Sequence, residues 1–333
     1  MNTMLSNLFR SALALFAAGQ LVAAPADDAR NSTARTLFTP EEVRIILSMS
    51  PLDTSQFVDP TNRYCADPAT RRFGERLFFD KRLSQRGDTA CGSCHLPQKG
   101  WAGGDGGAQG EAAARETPAL WNVGYYRWYN WDGSADSLWA QSLGPIESEA
   151  ELANSRVAVA RAIQQHSDLR VAYEGIFGPI PEVIALDRLP ESGRPVAGQP
   201  EHPDSRRWSA LTSEQQSAVN RLFVNIGKAI AAFEASIISA NAPFDRFVAG
   251  LRQGDEARMA ALSRAARRGL KLFVGKARCA TCHSGPNFSD SEFHHVFLPD
   301  DETEDLGRWT GIDRVRSSEF NFHSPFNDAD AGQ

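Results

Sequence analysis

Apolar positions along this chain recur at intervals of three and four rather than in alternation, so the elements they predict are helices. Thr39-Pro40-Glu41-Glu42 reads as a helix start, with a capping hydroxyl, proline at the first position and acids in the first turn. Asp67-Pro68 opens a second helix, with Phe73 and Leu77 on one face. Residues 213 to 239 predict a long helix carrying Leu222, Ile226, Ile230, Phe233 and Ile237. Met259, Leu262, Ala266, Leu270 and Phe273 form a similar stripe. Both stripes read as core, Met259 included. Between Phe177 and Pro203 the pattern breaks down at Gly178-Pro179, Pro181, Pro190, Pro195 and Pro200, which predicts a linker or long loop between two units. The expected division is residues 35–178, a linker over 179–208, and a second unit over 209–333.

Composition narrows the function classes. A net charge of -6 over 333 residues argues against nucleic acid or an anionic membrane surface as partner. Residues 1–26 read as a secretory signal: Arg10 is basic, Ser11 to Ala24 is apolar but too short to span a bilayer, and Ala24-Pro25-Ala26 is a cleavage site. No other segment predicts a membrane span. The mature protein is expected to be exported, in a bacterium to the periplasm.

The chemistry sits in two copies of one short motif, Cys91-Gly-Ser-Cys94-His95 and Cys279-Ala-Thr-Cys282-His283. C-x-x-C-H is the attachment sequence of c-type haem. Its thiols form thioethers to the porphyrin, and its histidine is the proximal iron ligand. An all-cysteine zinc site or a pair of redox dithiols are the competing readings. Duplication behind an export signal favours two covalent haems. Cys65 is left over and reads as a buried small residue. A weak internal repeat supports two units. Gly74-Glu-Arg-Leu77-Phe78 precedes the first motif, Gly269-Leu-Lys-Leu272-Phe273 precedes the second, and Trp101 and Phe288 follow them. Cytochrome c-like domains are built this way, so the expected fold is mainly α: two cytochrome c-like haem domains packed around an interdomain aromatic region.

That region lies between the motifs. Trp121, Tyr125, Tyr126, Trp128, Tyr129, Trp131 and Trp139 crowd together, either as a packed cover for a porphyrin face or as an electron relay. Downstream stand Gln141, Pro145, Glu147, Glu149 and Glu151. Such an acid run is a solvated face unless a carboxylate lies near an open iron, where it could carry a proton between peroxide oxygens.

Arg115-Glu-Thr-Pro118-Ala-Leu, Trp131-Asp132-Gly133, and Gln141 with Gly144-Pro145-Ile146 through Glu151 resemble the bacterial dihaem cytochrome c peroxidase and MauG superfamily. Leu83-Ser84 and His283-Ser-Gly-Pro fit as well. By position, the resemblance implies that Trp131 lies between the haems, that Gln141 and Pro145 line the distal pocket, and that Glu151 is the catalytic glutamate. His95 would be the proximal ligand of the peroxidatic haem and His283 that of the electron-transfer haem. A calcium ion between the domains is implied too, partly through the position of Glu116, where asparagine is usual. The implied activity is reduction of hydrogen peroxide with electrons from a small cytochrome c or cupredoxin. The alternative is MauG-like oxidation of aromatic residues on a partner protein, and a non-catalytic dihaem electron carrier is a third reading.

Three departures bear on the choice. Many members place a histidine between the first motif and the tryptophan, where it caps the first iron until the other haem is reduced. No histidine occurs here between His95 and His166, so the first haem is expected to be open, as in MauG. Ser134 stands where many relatives have arginine. After His283 there is neither methionine nor tyrosine, which leaves His294, His295 and His323 as candidate second ligands. The C-terminal domain is therefore expected to be incomplete, and Ser324 to Gln333 to lack a closing element.

Overall fold

The structure, a computed structural model, describes residues 37–53, 58–103, 116–295 and 306–329. The expected signal segment and Arg115 lie outside the described residues. Within them the protein is helical, with two isolated bridges, Leu96–Ala102 and Tyr129–Ala135, and no named strand. No described helix is long and apolar enough to cross a membrane.

The first helices start where the sequence predicts. Helix α1 (Pro40–Ser48) is closed by a capping box: the Glu42 amide donates to Thr39 Oγ1 at 3.2 Å and the Thr39 amide to Glu42 Oε2 at 2.7 Å. Asp67 caps α2 (Pro68–Phe78) through the amides of Ala69 and Thr70. Short helices follow: α3 (Cys91–Cys94), α4 (Leu138–Gln141) and α5 (Gly144–Glu147). Then come α6 (Arg156–Gln165), α7 (Ser167–Phe177), α8 (Pro203–Ser209) and the long α9 (Ser213–Glu234). The chain continues through α10 (Pro243–Gln253), α11 (Glu256–Met259), α12 (Arg264–Val274) and α13 (Arg308–Ser317). The stripe from Met259 to Phe273 is thus two helices, not one. Ser263 caps α12 by accepting from the Ala266 amide at 3.1 Å, which rotates Ala266 outward and buries Arg267 instead. The Arg267 guanidinium then donates to the carbonyls of Leu262 and Met259. Met259 is core, as expected.

Two hydrophobic cores form, and they do not follow chain order. The first joins α2, α4, α6, α7 and α9 through residues such as Leu77, Phe78, Trp139, Ile163, Leu169, Phe223 and Ile230. The second joins α1, α10, α11 and α12 through Phe38, Ile46, Phe247, Leu251, Met259 and Leu270. Each fully buried Leu, Ile or Phe contributes roughly 1.5–3 kcal/mol. Helix α9, which the sequence assigns to the C-terminal unit, therefore lies in the first core, while α1 packs with the second. The proline-rich stretch is also packed rather than free. Ile184 and Leu189 are buried in the first core, and Arg161 Nη1 donates to the carbonyls of Leu186 (2.6 Å) and Leu189 (3.0 Å).

The C-terminal segment returns to the first core as well. Phe320 and Phe326 are buried there. Glu319 pairs with buried Arg156. Buried Lys228 on α9 donates to Phe326 O at 2.7 Å and Asp328 Oδ2 at 2.6 Å. Residues 319–328 therefore close onto α9, where the sequence showed no closing element. A deeply buried lysine needs such partners, because an unpaired ammonium in apolar surroundings is costly.

Candidate haem centres

The two C-x-x-C-H motifs occupy closely similar local frames. In the first, one turn of α3 puts Cys91 and Cys94 on one face. In the second, a 3-10 turn at Cys279–Thr281 does the same. The backbone N–H of each histidine donates to the first cysteine's carbonyl, at 3.0 Å for His95 and 2.9 Å for His283. His95 Nδ1 lies 3.1 Å from Trp101 O, and His283 Nδ1 lies 3.1 Å from Phe288 O. A carbonyl only accepts, so Nδ1 carries the proton in both rings; this leaves Nε2 for a metal in His283, while the Pro118 carbonyl also accepts from the His95 ring. Trp101 and Phe288 each hold the left-handed conformation (φ 60° and 53°) that aims these carbonyls back at the ring. Non-glycine residues adopt it at a cost, so its appearance at both equivalent positions marks a shared constraint. Phe78 of α2 leans on His95 at 6.2 Å between centroids, and Phe273 of α12 leans on His283 at 6.3 Å.

These residues fit c-type haem. All four motif cysteines are free thiols available for thioethers. The zinc alternative loses its geometry: among the described residues, the Cys, His, Asp or Glu group close enough to share an ion is Cys282, Asp290 and His294, not four sulfurs. Cys65 is a buried free thiol that accepts from the Asp59 amide at 3.4 Å, and burial pushes its pKa up.

The surroundings of the motifs differ. His95 is half-buried within an aromatic cage of Phe78, Trp101 and Phe233. Burial makes its ring less basic, against the opposing pull of the Trp101 and Pro118 carbonyls. His283 is exposed.

Glu151, Gln141 and Pro145 sit together on consecutive short elements. Pro145 opens α5, and its carbonyl accepts from the Leu152 amide at 3.1 Å, which folds the Glu151 turn back. Glu151 is half-buried. Burial raises its pKa, partly opposed by the Ser148 hydroxyl. Its charge raises the thiol pKa of both Cys91 and Cys94. Gln141 ends α4 and donates from Nε2 to Asn130 Oδ1 at 3.3 Å. Glu147 and Glu149, in the same acid run, instead pair with Arg156 and Arg194.

Trp131 is 58% exposed, and its indole N–H donates to Glu116 O at 2.7 Å. Helix α13 braces this loop: Arg308 lies over the Trp128 ring at 4.1 Å and donates to Gly133 O, and Arg314 pairs with Asp132 at 3.2 Å. Glu116 is exposed and joins no group of three or more thiol, imidazole or carboxylate ligands among the described residues. Of the candidate second ligands, His294 stands beside the second motif, with Nε2 2.7 Å from Asp290 Oδ2. His323 lies in the C-terminal segment next to Phe322, whose amide donates to Asp136 at 2.8 Å.

The sequence reading missed Asn130, which holds Gln141, and a buried acid, Glu234, whose carboxylate contacts Ser142. The signal for Glu234 was present: it falls four residues after Ile230, on the apolar stripe of α9.

A family model described as di-haem cytochrome c peroxidase matches residues 68–253. The methylamine utilization protein MauG of Methylorubrum extorquens is 31% identical over 244 residues, covering 72% of this chain and 56% of that protein. The cytochrome c551 peroxidase of Pseudomonas aeruginosa is 27% identical over 267 residues, covering 76% of this chain and 63% of the relative. The chain thus spans between half and two thirds of the length of these relatives. The crystal structure of the diheme peroxidase BthA from Burkholderia thailandensis superposes with a TM-score of 0.55 at 22% identity, covering 78% of this chain and 64% of that one.

Proposed function

Since the chain belongs to the di-haem cytochrome c peroxidase family, we propose that it is an exported dihaem c-type oxidoreductase that reduces hydrogen peroxide at the first haem with electrons relayed from the second. One observation carries this reading: a half-buried carboxyl, Glu151, sits in a turn that the Leu152 amide ties back to the Pro145 carbonyl at 3.1 Å, and its charge acts on the Cys91 and Cys94 thiols. Cys91, Cys94 and His95 hold the first haem, and Cys279, Cys282 and His283 the second. When bound, the haems supply the iron that binds peroxide and passes electrons.

The protein's own groups do the rest. Each Nδ1–H is committed to a carbonyl, with Nε2 taking the metal in this reading. The Glu151 carboxylate would take a proton from one peroxide oxygen and give it to the other as the O–O bond breaks; overall, two electrons from the redox donor and two protons from solvent convert one peroxide into two waters. Gln141, tethered to Asn130, orients the peroxide. Trp131, anchored by Glu116 O, serves the electron path. A calcium ion bound partly through Glu116, a hard oxygen ligand, belongs to the same reading.

Export rests on the signal over residues 1–26 and places the protein in the periplasm. The electron donor in this reading is a small cytochrome c or cupredoxin.

A second reading is favoured by the empty interval between His95 and His166, where no histidine occurs to cap the first iron. In it, peroxide is the co-substrate and an aromatic residue of a partner protein is oxidised. Glu151 serves both readings.

Steady-state peroxide reduction with a reduced small cytochrome c tests the proposal. E151Q is expected to lower kcat by roughly 10²–10⁴-fold while both haem absorption spectra stay unchanged. Wild-type turnover unaffected by E151Q would overturn the role of Glu151. No turnover with any donor, but peroxide-dependent oxidation of a partner protein, would select the second reading. Inertness to peroxide in every state would leave an electron carrier.

A further inference from the structure

Helix α9 ends in a carboxyl group that the reaction above does not use. Glu234 is 4% exposed. It follows Phe233, whose ring packs on Phe78 at 5.2 Å and Trp101 at 6.0 Å, around the first haem motif. Two titratable groups on neighbouring segments feel its charge, the Cys91 thiol and the Tyr129 hydroxyl.

The other charged groups on elements packed against α9 are engaged elsewhere. Arg71, Arg72, Glu75 and Arg76 of α2 face solvent. Arg156 of α6 pairs with Glu147 and Glu319, and Arg161 donates to Leu186 and Leu189. Glu182 pairs with Arg188, and Lys228 of α9 itself pairs with Asp328. Among the described residues no cation pairs with Glu234.

Its partner is Ser142, the residue after Gln141. Ser142 Oγ lies 3.1 Å from Glu234 Oε2 and 2.8 Å from Leu138 O. A serine hydroxyl has one proton to give, and the Leu138 carbonyl can only accept it. The Ser142 oxygen is then an acceptor toward Glu234, and the shared proton must come from the carboxyl. An ionised Glu234 would compete for that proton with the nearer Leu138 carbonyl, which also accepts from the Ser142 amide at 3.0 Å, and would carry its charge in a buried site where no described cation pairs with it. Burial acts in the same direction, pushing the carboxyl pKa up to about 8.

We propose that Glu234 is a neutral carboxylic acid that donates to Ser142 and so positions the α4–α5 corner carrying Gln141 and Pro145. It is a positioning residue, acting through Ser142, and its kinetic consequence rests on the peroxide-reducing reading of Gln141 and Glu151. Ionisation at alkaline pH redirects the Ser142 proton from Leu138 O to the carboxylate. The Ser142 amide keeps its bond to Leu138 O at 3.0 Å, but the hydroxyl turns away from the last turn of α4, and a negative charge appears that acts on Cys91.

The test is infrared spectroscopy of the haem-loaded full chain, with ¹³C-labelled glutamate to assign the carbonyl stretch of a protonated acid, run on wild type, E234Q, E234A and S142A. Wild type is expected to show a protonated-acid band at neutral pH that fades through about pH 8. The band is expected to vanish in E234Q and to shift in S142A, where the acid loses its acceptor. In parallel, E234A is expected to lower peroxide kcat by about tenfold to a hundredfold. E234Q, a neutral donor of the same shape, is expected to rescue it and to remove the alkaline decline. Absence of the band at neutral pH, or its persistence in E234Q, overturns the proposal. A normal band with E234A kinetics equal to wild type overturns the positioning role. Failure of the peroxidase reading would show separately, as absent wild-type turnover with the infrared result intact.

Discussion

The two haem motifs share a frame and differ in what covers it. In each, the proximal imidazole donates to the carbonyl of a left-handed aromatic residue at 3.1 Å. In each, the preceding helix supplies a phenylalanine against the imidazole, and another helix adds a second ring: Phe233 of α9 against Trp101 (6.0 Å), and Phe244 of α10 against Phe288 (5.2 Å). Beyond that ring the likeness stops. In the first unit Leu77 is fully buried under α9, and Gly74 meets the Ala229 backbone. In the second, Leu272 is 54% exposed, Gly269 faces open space and His283 is exposed. Among the described residues the first motif has the half-buried Glu151 and the buried Glu234 near it with no cation paired to either, whereas the acid at the second motif, Asp290, pairs with His294. In the proposed reading one frame serves two uses. A covered site with a poised carboxyl suits proton-coupled chemistry, and an exposed edge suits electron exchange with a partner.

The sharpest way to break the comparison is at the paired glycines. A methyl group at Gly74 would fall inside the van der Waals radius of the Ala229 carbonyl oxygen, whereas at Gly269 it meets nothing within 4 Å. G74A is expected to destabilise by about 3 kcal/mol or more, through overpacking at the α2–α9 crossing. G269A should instead stabilise by up to about 1 kcal/mol through helix propensity. Paired denaturant melts decide this, and equal effects would mean that the units are equally covered.

The paired leucines come next. L77A is expected to cost about 2–5 kcal/mol and L272A about 0.5 kcal/mol or less. Equal losses in thermal melts would show Leu272 to be packed in solution.

A smaller effect is the pH dependence of stability. Glu234 has a folded pKa of about 8 against an ordinary 4.5. Between those values the unfolded chain has released a proton that the folded chain keeps, so stability falls as pH rises through this window and levels off above it. Glu151, also raised, acts in the same direction. E234Q is expected to flatten the fall by on the order of a few kcal/mol, read from melting curves between pH 5 and 9. A curve that E234Q leaves unchanged would assign the slope to other groups. The smallest expected effect is calcium removal: a chelator should lower the melting temperature by a few degrees if Glu116 holds an ion, and E116Q should abolish that shift.

Much of this was legible in the sequence because local rules dominate there. The caps at Thr39 and Asp67 are short-range patterns and fold as read; the long apolar stripe does so up to Glu234, where the helix ends five residues short of the expected 239 and leaves Ile237 beyond it. The pairing of Phe78 with Trp101 and of Phe273 with Phe288 was foreshadowed by the internal repeat. What was not legible depends on contacts distant in sequence. Helix α9 reads as part of the second unit because it follows the proline-rich stretch. It joins the first because Gly74 allows α2 to approach the Ala229 backbone. The docking of the C-terminal segment on the first core depends on Lys228, buried in α9, which holds Asp328. The site behaved likewise: Gln141 and Glu151 follow from family position, but Glu234 needed Ser142 and its single proton.

The central claim is that the first haem is the open, reactive one. The most direct test mixes diferric, haem-loaded protein with one equivalent of hydrogen peroxide, without reductant, and follows the absorption and EPR spectra. Prompt loss of a high-spin ferric signal is expected in the wild type, and a much slower loss in E151Q. No reaction until the second haem has been reduced would contradict it, and would mean that a ligand caps the first iron.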